Sequence, residues 1–185
     1  MSKKKLFVIS ASSGVGKSSL IKELCKIDSQ LQVSISHTSR PKRKNEIEGV
    51  DYYFIDANVF SKMISENKFV EYALVYDNYY GTHIDILNNI KDGKNDIILE
   101  IDYQGAMQIK KLFPDTILIY ILPPNLKEVE KRLKKRNTDN IEVINKRLKV
   151  IEQENLHSVD YNHTVINDNF KNAVSILYSI IKSYR

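Results

Sequence analysis

A loop of small residues ending in Gly16-Lys17-Ser18 carries the clearest chemistry in this sequence. Small side chains let successive backbone N–H groups turn inward and form a concavity that binds anions. A lysine at this place reaches the terminal phosphates of a nucleotide, and the hydroxyl that follows can bind a magnesium ion. The pattern G-x-x-x-x-G-K-[ST] begins with glycine, where this chain has Ala11. The residues predicted to form this phosphate-binding loop are Ala11, Ser12, Ser13, Gly14, Val15, Gly16, Lys17, Ser18 and Ser19.

The residues on either side of the loop support this interpretation. The apolar run at 6–10 predicts a buried strand, and the run at 18–27 predicts an amphipathic helix. The N-terminus of that helix would add the positive end of its dipole to the anion site. The alternative is a plain Gly/Ser turn between a strand and a helix, which gives Lys17 no role.

A second group of candidate residues lies between positions 36 and 82, where basic residues alternate with tyrosines. Arg40 and Arg43 can clamp a phosphate, and tyrosine hydroxyls can bind its remaining oxygens. Considered alone, the two arginines are more often part of a solvated loop, and such a pattern also suits single-stranded nucleic acid. Together with the loop, they indicate a kinase of a phosphorylated acceptor, because that reaction needs a second phosphate site.

The composition narrows the class of protein. A chain of 185 residues is long enough for one domain with a sizeable core. The net charge of +5 suggests an anionic partner, which could be a nucleotide, a nucleic acid or a membrane surface. The single cysteine, Cys25, cannot form an intrachain disulfide, and no apolar run approaches transmembrane length, so a cytoplasmic protein is expected. The four histidines are scattered, and we do not expect them to bind a metal.

Strand and helix patterns alternate along the chain. Continuous apolar runs at 97–101 and 117–122 are typical of strands buried on both faces of a parallel sheet. The stretch at 36–82 has shorter, tyrosine-rich strands and predicts a small antiparallel insertion beside the loop. We therefore expect an α/β fold with a central parallel sheet. Further strands are predicted at 33–36, 52–55, 69–76 and 164–166, and further helices at 57–66 (with Asp56 as N-cap), 84–91, 126–136, 141–156 and 170–183.

Together these motifs resemble the guanylate kinase family, essentially from end to end of the chain. The matching segments are 13–18, Ser36-His-Thr-Ser-Arg40-Pro-Lys-Arg43, Gly49-Val-Asp-Tyr-Tyr-Phe54, Phe69-Val-Glu71, Asn78-Tyr-Tyr-Gly-Thr82, Ile101-Asp-Tyr-Gln-Gly105, Pro123-Pro124, and Arg132, Arg136 and Lys146-Arg-Leu148. The resemblance implies a P-loop kinase core with a central parallel sheet flanked by helices, a small mixed or antiparallel GMP-binding insertion and a helical lid. These would form a single domain over 1–185, with the core at 1–35, 83–124 and 157–185, the insertion at about 36–82 and the lid at about 125–156.

The activity that the resemblance implies is transfer of a phosphoryl group from ATP to GMP, and also to dGMP, assisted by Mg²⁺. The implied catalytic residues are Lys17, Arg132, Arg136 and Arg147. The implied GMP-binding residues are Ser36, Arg40, Arg43, Tyr52, Glu71, Tyr80, Gly81, Thr82 and Glu100. Ser18 and Asp102 would bind the metal, Asp102 directly or through water, and Asn167 would lie near the donor adenine. The division of labour between Glu100 and Asp102 stays open at this point.

The chemistry of guanine supports the role of Glu71 independently. Guanine presents N1–H and N2–H donors on one edge, which a carboxylate accepts as a pair, and its O6 accepts from hydroxyls such as those of Ser36 and Thr82. Adenine reverses this pattern and would leave the carboxylate unpaired, which supports discrimination on the order of 10⁴-fold. The alternative for Glu71 is an outward charge on an amphipathic strand.

No general base is required, because the second pKa of a phosphomonoester is about 6 and the acceptor oxygen is already largely ionised. Catalysis would come from alignment and charge neutralisation. Arg132 and Arg136 lie four residues apart on one helix face and fit a closing lid, although a solvated basic face has the same pattern. Asn137 stands where the family usually has glycine.

Other classes of protein remain as alternatives: a phosphopeptide-binding guanylate-kinase-like module, a kinase of another phosphorylated small molecule, or a nucleic-acid-binding protein. The intact Gly16-Lys17-Ser18 and the guanine-reading Glu71 favour the enzyme. The expected partners are ATP and GMP, with no nucleic acid and no membrane, and the sequence does not decide between a monomer and a homo-oligomer.

Overall fold

The computed structural model describes residues 4–136 and 141–185. Its elements, in chain order, are β1 (Leu6–Ala11), α1 (Lys17–Ile27), β2 (Leu31–Ser34), β3 (His37–Thr38), β4 (Tyr53–Phe54), α2 (Ala57–Ser65), β5 (Phe69–Val75), β6 (Asn78–His83), α3 (Ile86–Asp92), β7 (Asp96–Glu100), α4 (Tyr103–Leu112), β8 (Ile117–Leu122), α5 (Leu126–Arg136), α6 (Ile141–Leu156), β9 (His163–Ile166) and α7 (Phe170–Ser183). A 3₁₀ turn at His157–Asp160 joins α6 to β9.

A parallel sheet forms the centre of the described structure. Its strands lie in the order β2-β7-β1-β8-β9, and every pairing between neighbours is parallel. The strand β1 alternates its side chains between two apolar clusters: Phe7 packs on the side of α1 and α7, and Val8 packs on the side of α3 and α4. Both side chains are fully buried, as expected for a strand covered by helices on both faces. The predicted α/β fold with a central parallel sheet is confirmed.

A second, smaller sheet holds the tyrosine-rich stretch. Its order is β4-β3-β6-β5, with β3 antiparallel to β6, β6 antiparallel to β5, and β4 parallel to β3. The sheet is therefore mixed. The β5–β6 hairpin turns at Tyr76-Asp77, where both residues have positive φ, of 48° and 62°. This is the backbone that a tight two-residue hairpin requires.

The helices α5 and α6 pack against each other after β8. Val129 and Leu133 of α5 and Ile144 and Ile151 of α6 are buried in a third apolar cluster. Leu133 also lies against the phosphate-binding loop, since a Cβ on Gly14 would come within 3.2 Å of it. Among the helices that the structure describes, none has the length and apolar character to cross a bilayer.

Several predicted element boundaries differ from the structure. β2 spans Leu31–Ser34, two residues before the predicted 33–36, because Leu31 pairs with Asp96 at the start of β7. β3, β6 and α4 have no counterpart in the predicted element list. Asp56 occupies the N-cap of α2 as predicted, but its side chain makes no capping hydrogen bond. By contrast, the predicted bounds of α5, α6 and α7 agree with the structure.

Candidate active site

The phosphate-binding loop lies between the end of β1 and the start of α1. Gly14 and Gly16 have φ of 85° and 101°, which glycine adopts without steric cost. Behind the loop, the Asn167 side chain donates a 2.7 Å hydrogen bond to the Val15 carbonyl, and a Cβ on Gly16 would approach its Nδ2 to 2.9 Å. Asn167, predicted to lie near the adenine, thus holds the loop backbone through this contact.

The first two side chains of α1 point to the carboxyl end of β7. Lys17 Nζ donates to the Ile101 carbonyl at 3.2 Å, and Ser18 Oγ donates to Glu100 Oε1 at 2.5 Å. A hydroxyl beside a carboxylate is a hard-oxygen donor set that suits Mg²⁺. This pair of oxygens fits a metal ion that also binds phosphates and water.

The side chain of Asp102 makes different contacts from that of Glu100. It is the N-cap of α4, and its Oδ1 accepts a 2.9 Å hydrogen bond from the Gly105 N–H. Burial raises the pKa of Asp102, although this hydrogen bond and the charge of Lys17 oppose the shift. One of its oxygens is therefore already committed to the helix.

Glu46, which sequence reasoning missed, holds the side chain of Arg40 and the backbone of Arg43. Glu46 accepts from Arg40 Nη2 at 2.7 Å and from the Arg43 N–H at 2.8 Å. Burial opposes ionisation of this carboxyl, but these hydrogen bonds and the arginine charges hold its pKa below the usual value. Arg40 also lies over the rings of Tyr52 and Phe54, at 5.6 and 5.7 Å. The guanidinium is thus fixed in place before any ligand binds.

Glu71 lies on β5 with its side chain buried, at 3% exposure. The register between β5 and β6 shifts between Phe69 and Glu71, and such an irregularity re-aims the side chains that follow it. The Thr82 hydroxyl donates a 2.5 Å hydrogen bond to its Oε1. Burial raises the pKa of Glu71 to about 7, with a further contribution from Asp102 and opposition from Thr82 and Lys17.

Both groups of predicted residues meet in one cleft with a cavity volume of about 230 Å³. The predicted residues that line it are Ala11, Ser13, Lys17, Ser36, Arg40, Arg43, Tyr52, Glu71, Tyr80, Gly81, Glu100 and Asp102. Thr82 acts on the cleft through its hydrogen bond to Glu71. The arrangement therefore places two candidate phosphate-binding groups, the loop and the arginines, in one cleft.

Glu154 of α6 also lines the cleft, and sequence reasoning missed it. Its burial and the nearby Asp102 raise its pKa, and the Tyr76 hydroxyl lies 3.5 Å from its Oε1. The neighbouring Asn155 accepts a 3.1 Å hydrogen bond from Ser12 of the loop. No motif in the sequence marks these positions, because they reach the cleft only through the fold.

Comparison with known proteins decides the family. The sequence model described as guanylate kinase matches residues 3–184. The chain belongs to the guanylate kinase family. The guanylate kinase of Hydrogenovibrio crunogenus is 47% identical over 97% of this chain and 88% of the relative. That of Coxiella burnetii is 46% identical over 100% of this chain and 90% of the relative.

A solved structure supports the same assignment. The crystal structure of guanylate kinase from Anaplasma phagocytophilum has a TM-score of 0.82 to this fold at 27% identity, over 98% of this chain and 86% of that one. The resemblance inferred from the motifs is confirmed. In this guanylate kinase fold, the side chains of the predicted lid residues Arg132, Arg136 and Arg147, and all of Asn137, lie outside the described residues. Their roles stay predictions.

Proposed function

We propose that this protein transfers the terminal phosphoryl group of ATP to GMP, and to dGMP, with Mg²⁺ as the metal cofactor, releasing ADP. The observation that carries the proposal is a single cleft that joins the phosphate-binding loop to a buried carboxylate on the acceptor side. The family supports the reaction, since the curated relatives are guanylate kinases over nearly their full length.

On the donor side, the backbone N–H groups of the loop would bind the ATP phosphates, and Lys17 would leave the Ile101 carbonyl to reach them. Ser18 would hold Mg²⁺, with Glu100 beside it either as a ligand or as the acceptor of a bound water. The metal, when bound, neutralises charge on the donor phosphates and helps orient them. Asp102 would act mainly by capping α4 and shaping the electrostatics of the cleft.

On the acceptor side, Arg40, Arg43, Tyr52 and Tyr80 would bind the GMP phosphate. Support comes from the Glu46 hydrogen bonds, which order the Arg40 guanidinium and the backbone of Arg43 at one end of the cleft. Burial raises the pKa of Tyr52, so its hydroxyl keeps its proton and can donate to a phosphate oxygen. Because the Arg40 guanidinium is already in place, less ordering entropy is lost when the phosphate binds.

The guanine would be read by Glu71, with Ser36 and Thr82 contributing their hydroxyls. An ionised carboxylate only accepts hydrogen bonds, and so it matches the paired N1–H and N2–H donors of guanine. With adenine in the pocket, Glu71 would stay buried without these partners, which disfavours AMP.

Transfer would then proceed by direct attack of a GMP phosphate oxygen on the donor phosphorus. That oxygen needs no general base, since phosphomonoesters have a second pKa of about 6. The helical hairpin α5–α6 would serve as the lid over 125–156, closing on the insertion at 36–82, and its arginines would stabilise the transferring group. Closure would also exclude water, which is the competing acceptor.

A four-acceptor assay tests the proposal. Purified protein with ATP and Mg²⁺ is mixed with GMP, AMP, CMP or UMP, and release of ADP is followed by a coupled reaction. Turnover with GMP should exceed that with AMP by about 10⁴-fold in kcat/KM. Equal rates would exclude guanine selectivity. No turnover with any acceptor, together with tight binding of a phosphopeptide, would favour the scaffold-module alternative instead.

A further inference from the structure

Gln108 of α4 forms hydrogen bonds to the edge of the second sheet, beside the packing of Val70 of β5 on the core. Gln108 of α4 donates from Nε2 to the Tyr72 carbonyl at 2.8 Å, and its Oε1 accepts from the Tyr72 N–H at 3.2 Å. β5 is the last strand of its sheet, so the outward N–H and C=O of Tyr72 have no strand partner. The Gln108 amide therefore replaces the pair of hydrogen bonds that a further strand would make.

Tyr72 is the residue next to Glu71, so the Gln108 contact acts directly beside the guanine-reading side chain. One turn before Gln108 on the same helix, Gly105 faces the Glu71 carboxylate, and a Cβ on Gly105 would overlap with it. Two positions on one face of α4 thus meet β5 where the carboxylate enters the cleft.

The helix α4 is itself fixed to the core. Its Ala106 and Ile109 are buried in the apolar cluster that contains Val8 and Leu99 of the central sheet. Its N-cap, Asp102, follows β7 by two residues and lines the cleft. Any displacement of β5 relative to α4 would change the distance between Glu71 and the phosphate-binding loop.

We infer that Gln108 is a positioning residue for the acceptor: it holds β5 against α4 so that Glu71 places guanine at a fixed distance from the loop. This inference rests on the proposed function and extends it to a residue that touches no substrate. Binding through Glu71 and alignment of the acceptor oxygen would then depend on the same two hydrogen bonds. Small misplacements of reacting groups cost rate steeply, so both KM and kcat should respond.

The test is the variant Gln108→Met, which keeps side-chain length and helix propensity but removes both hydrogen bonds. KM for GMP should rise about tenfold, as expected for losing two hydrogen bonds of ordinary strength, and kcat should fall. KM for ATP should stay within about twofold of the parent value, because a difference of that size is no larger than the usual error when two variants are compared. The Tyr72 amide should also lose protection from hydrogen exchange, which reports β5 directly.

Gln108→Glu provides a second variant if Gln108→Met does not fold: it keeps an acceptor for the Tyr72 N–H but loses the donor to the carbonyl, and should raise KM for GMP in the same direction. Lys111→Met, at an exposed position on the last turn of α4, is the matched control and should leave both KM values unchanged.

Three outcomes would overturn the inference. These are an unchanged KM for GMP, an equal rise in both KM values, or unchanged exchange at Tyr72. A parent protein that fails to use GMP would instead overturn the proposed function, while the Tyr72 exchange would still decide whether Gln108 holds β5.

Discussion

The Thr82 hydroxyl and the Glu71 carboxylate form a 2.5 Å hydrogen bond between neighbouring strands of the second sheet. This bond favours the ionised carboxylate, yet burial outweighs it and the pKa of Glu71 is about 7. Near neutral pH, about half of the molecules with an empty cleft therefore carry a proton on this group. The proposed function needs the ionised form of Glu71, and near neutral pH the carboxyl is only partly ionised.

Affinity for GMP should rise with pH between 6 and 8, because in the proposed function guanine binds the ionised form of Glu71. With a pKa of about 7, the ionised fraction grows about tenfold over this range. The GMP phosphate also titrates near pH 6, so the slope must be compared with that of Glu71→Gln, which shares the phosphate but lacks the carboxyl. Calorimetric titration at constant ionic strength gives both slopes. Parallel slopes would contradict the assignment.

The same substitution, Glu71→Gln, should stabilise the folded protein at alkaline pH. The folded pKa is raised from 4.5 to about 7, so the folded state holds a proton that the unfolded chain releases between these values. The contribution of this group to the free energy of unfolding is fully present below pH 4.5. It falls as the pH rises and is lost above pH 7, where the buried carboxylate is ionised. We expect a gain of about 3 kcal/mol in the free energy of unfolding at pH 8. Urea unfolding at pH 5 and pH 8 should show the gain growing with pH.

A buried ion-pair cluster away from the cleft should contribute strongly to stability. Arg185 donates from Nε to Asp96 at 2.5 Å and from Nη1 to Asp28 at 2.6 Å, and the two carboxylates are 1% and 7% exposed. Arg185→Ala would leave both acids buried without their cation, so we expect a loss of about 3 kcal/mol in urea unfolding.

Acid should reduce that loss. Burial opposes ionisation of Asp28, but the Arg185 hydrogen bond and the Gln30 N–H hold its pKa below the usual value, so its contribution is present above its unfolded pKa and disappears as pH falls through the folded value. Lys26→Ala is the control, because the Lys26–Glu23 pair is solvent-exposed and should cost under about 0.5 kcal/mol. Equal losses in the two variants would show that the cluster contributes little.

The inner strands of the central sheet, β1, β7 and β8, could be predicted from sequence because each is a largely apolar run, a pattern that does not depend on the rest of the fold. The strand β6 could not be predicted, because Asn78 and Gly81 are residue types that are typical of turns. Its strand conformation depends on pairing with β5 and β3. The helix α4 could not be predicted for a similar reason. Gly105 lowers its helix propensity, while the Asp102 cap and the burial of Ala106 stabilise the helix in the fold.

The residues of the candidate active site also differ in whether they could be predicted from sequence. The loop could be predicted from its residue types and Glu71 from the resemblance to the family, and the structure places Lys17 and Glu71 in one cleft. Glu46 and Glu154 could not be predicted, since neither lies in a motif: the contacts of Glu46 with Arg40 and Arg43 depend on the loop conformation, and Glu154 reaches the cleft only through the packing of α6. Glu100 and Asp102 could not be told apart, because their different contacts depend on which way each side chain points after β7, which residue types alone do not specify.

Lys17→Ala should abolish turnover while leaving GMP affinity within a few-fold of the parent value. The Lys17 ammonium lies at the Ile101 carbonyl on the donor side, whereas the predicted phosphate clamp is held by Glu46. Loss of the lysine charge would also raise the pKa of Glu71, so GMP binding should be measured by calorimetry at pH 8, where Glu71 is largely ionised. Loss of GMP binding in a folded variant would show that the donor and acceptor sites are not separable.

Glu100 and Asp102 should differ in their effect on the metal requirement. Glu100 accepts from Ser18, the predicted metal-binding hydroxyl, whereas Asp102 caps α4. Glu100→Gln should raise the Mg²⁺ concentration for half-maximal rate by about tenfold, as expected when a group that orients a metal site is lost. Asp102→Asn keeps a good N-cap residue, so its Mg²⁺ requirement should stay within about twofold of the parent. Magnesium titrations of kcat at saturating ATP and GMP separate the two, and a shift confined to Asp102→Asn would reverse these roles.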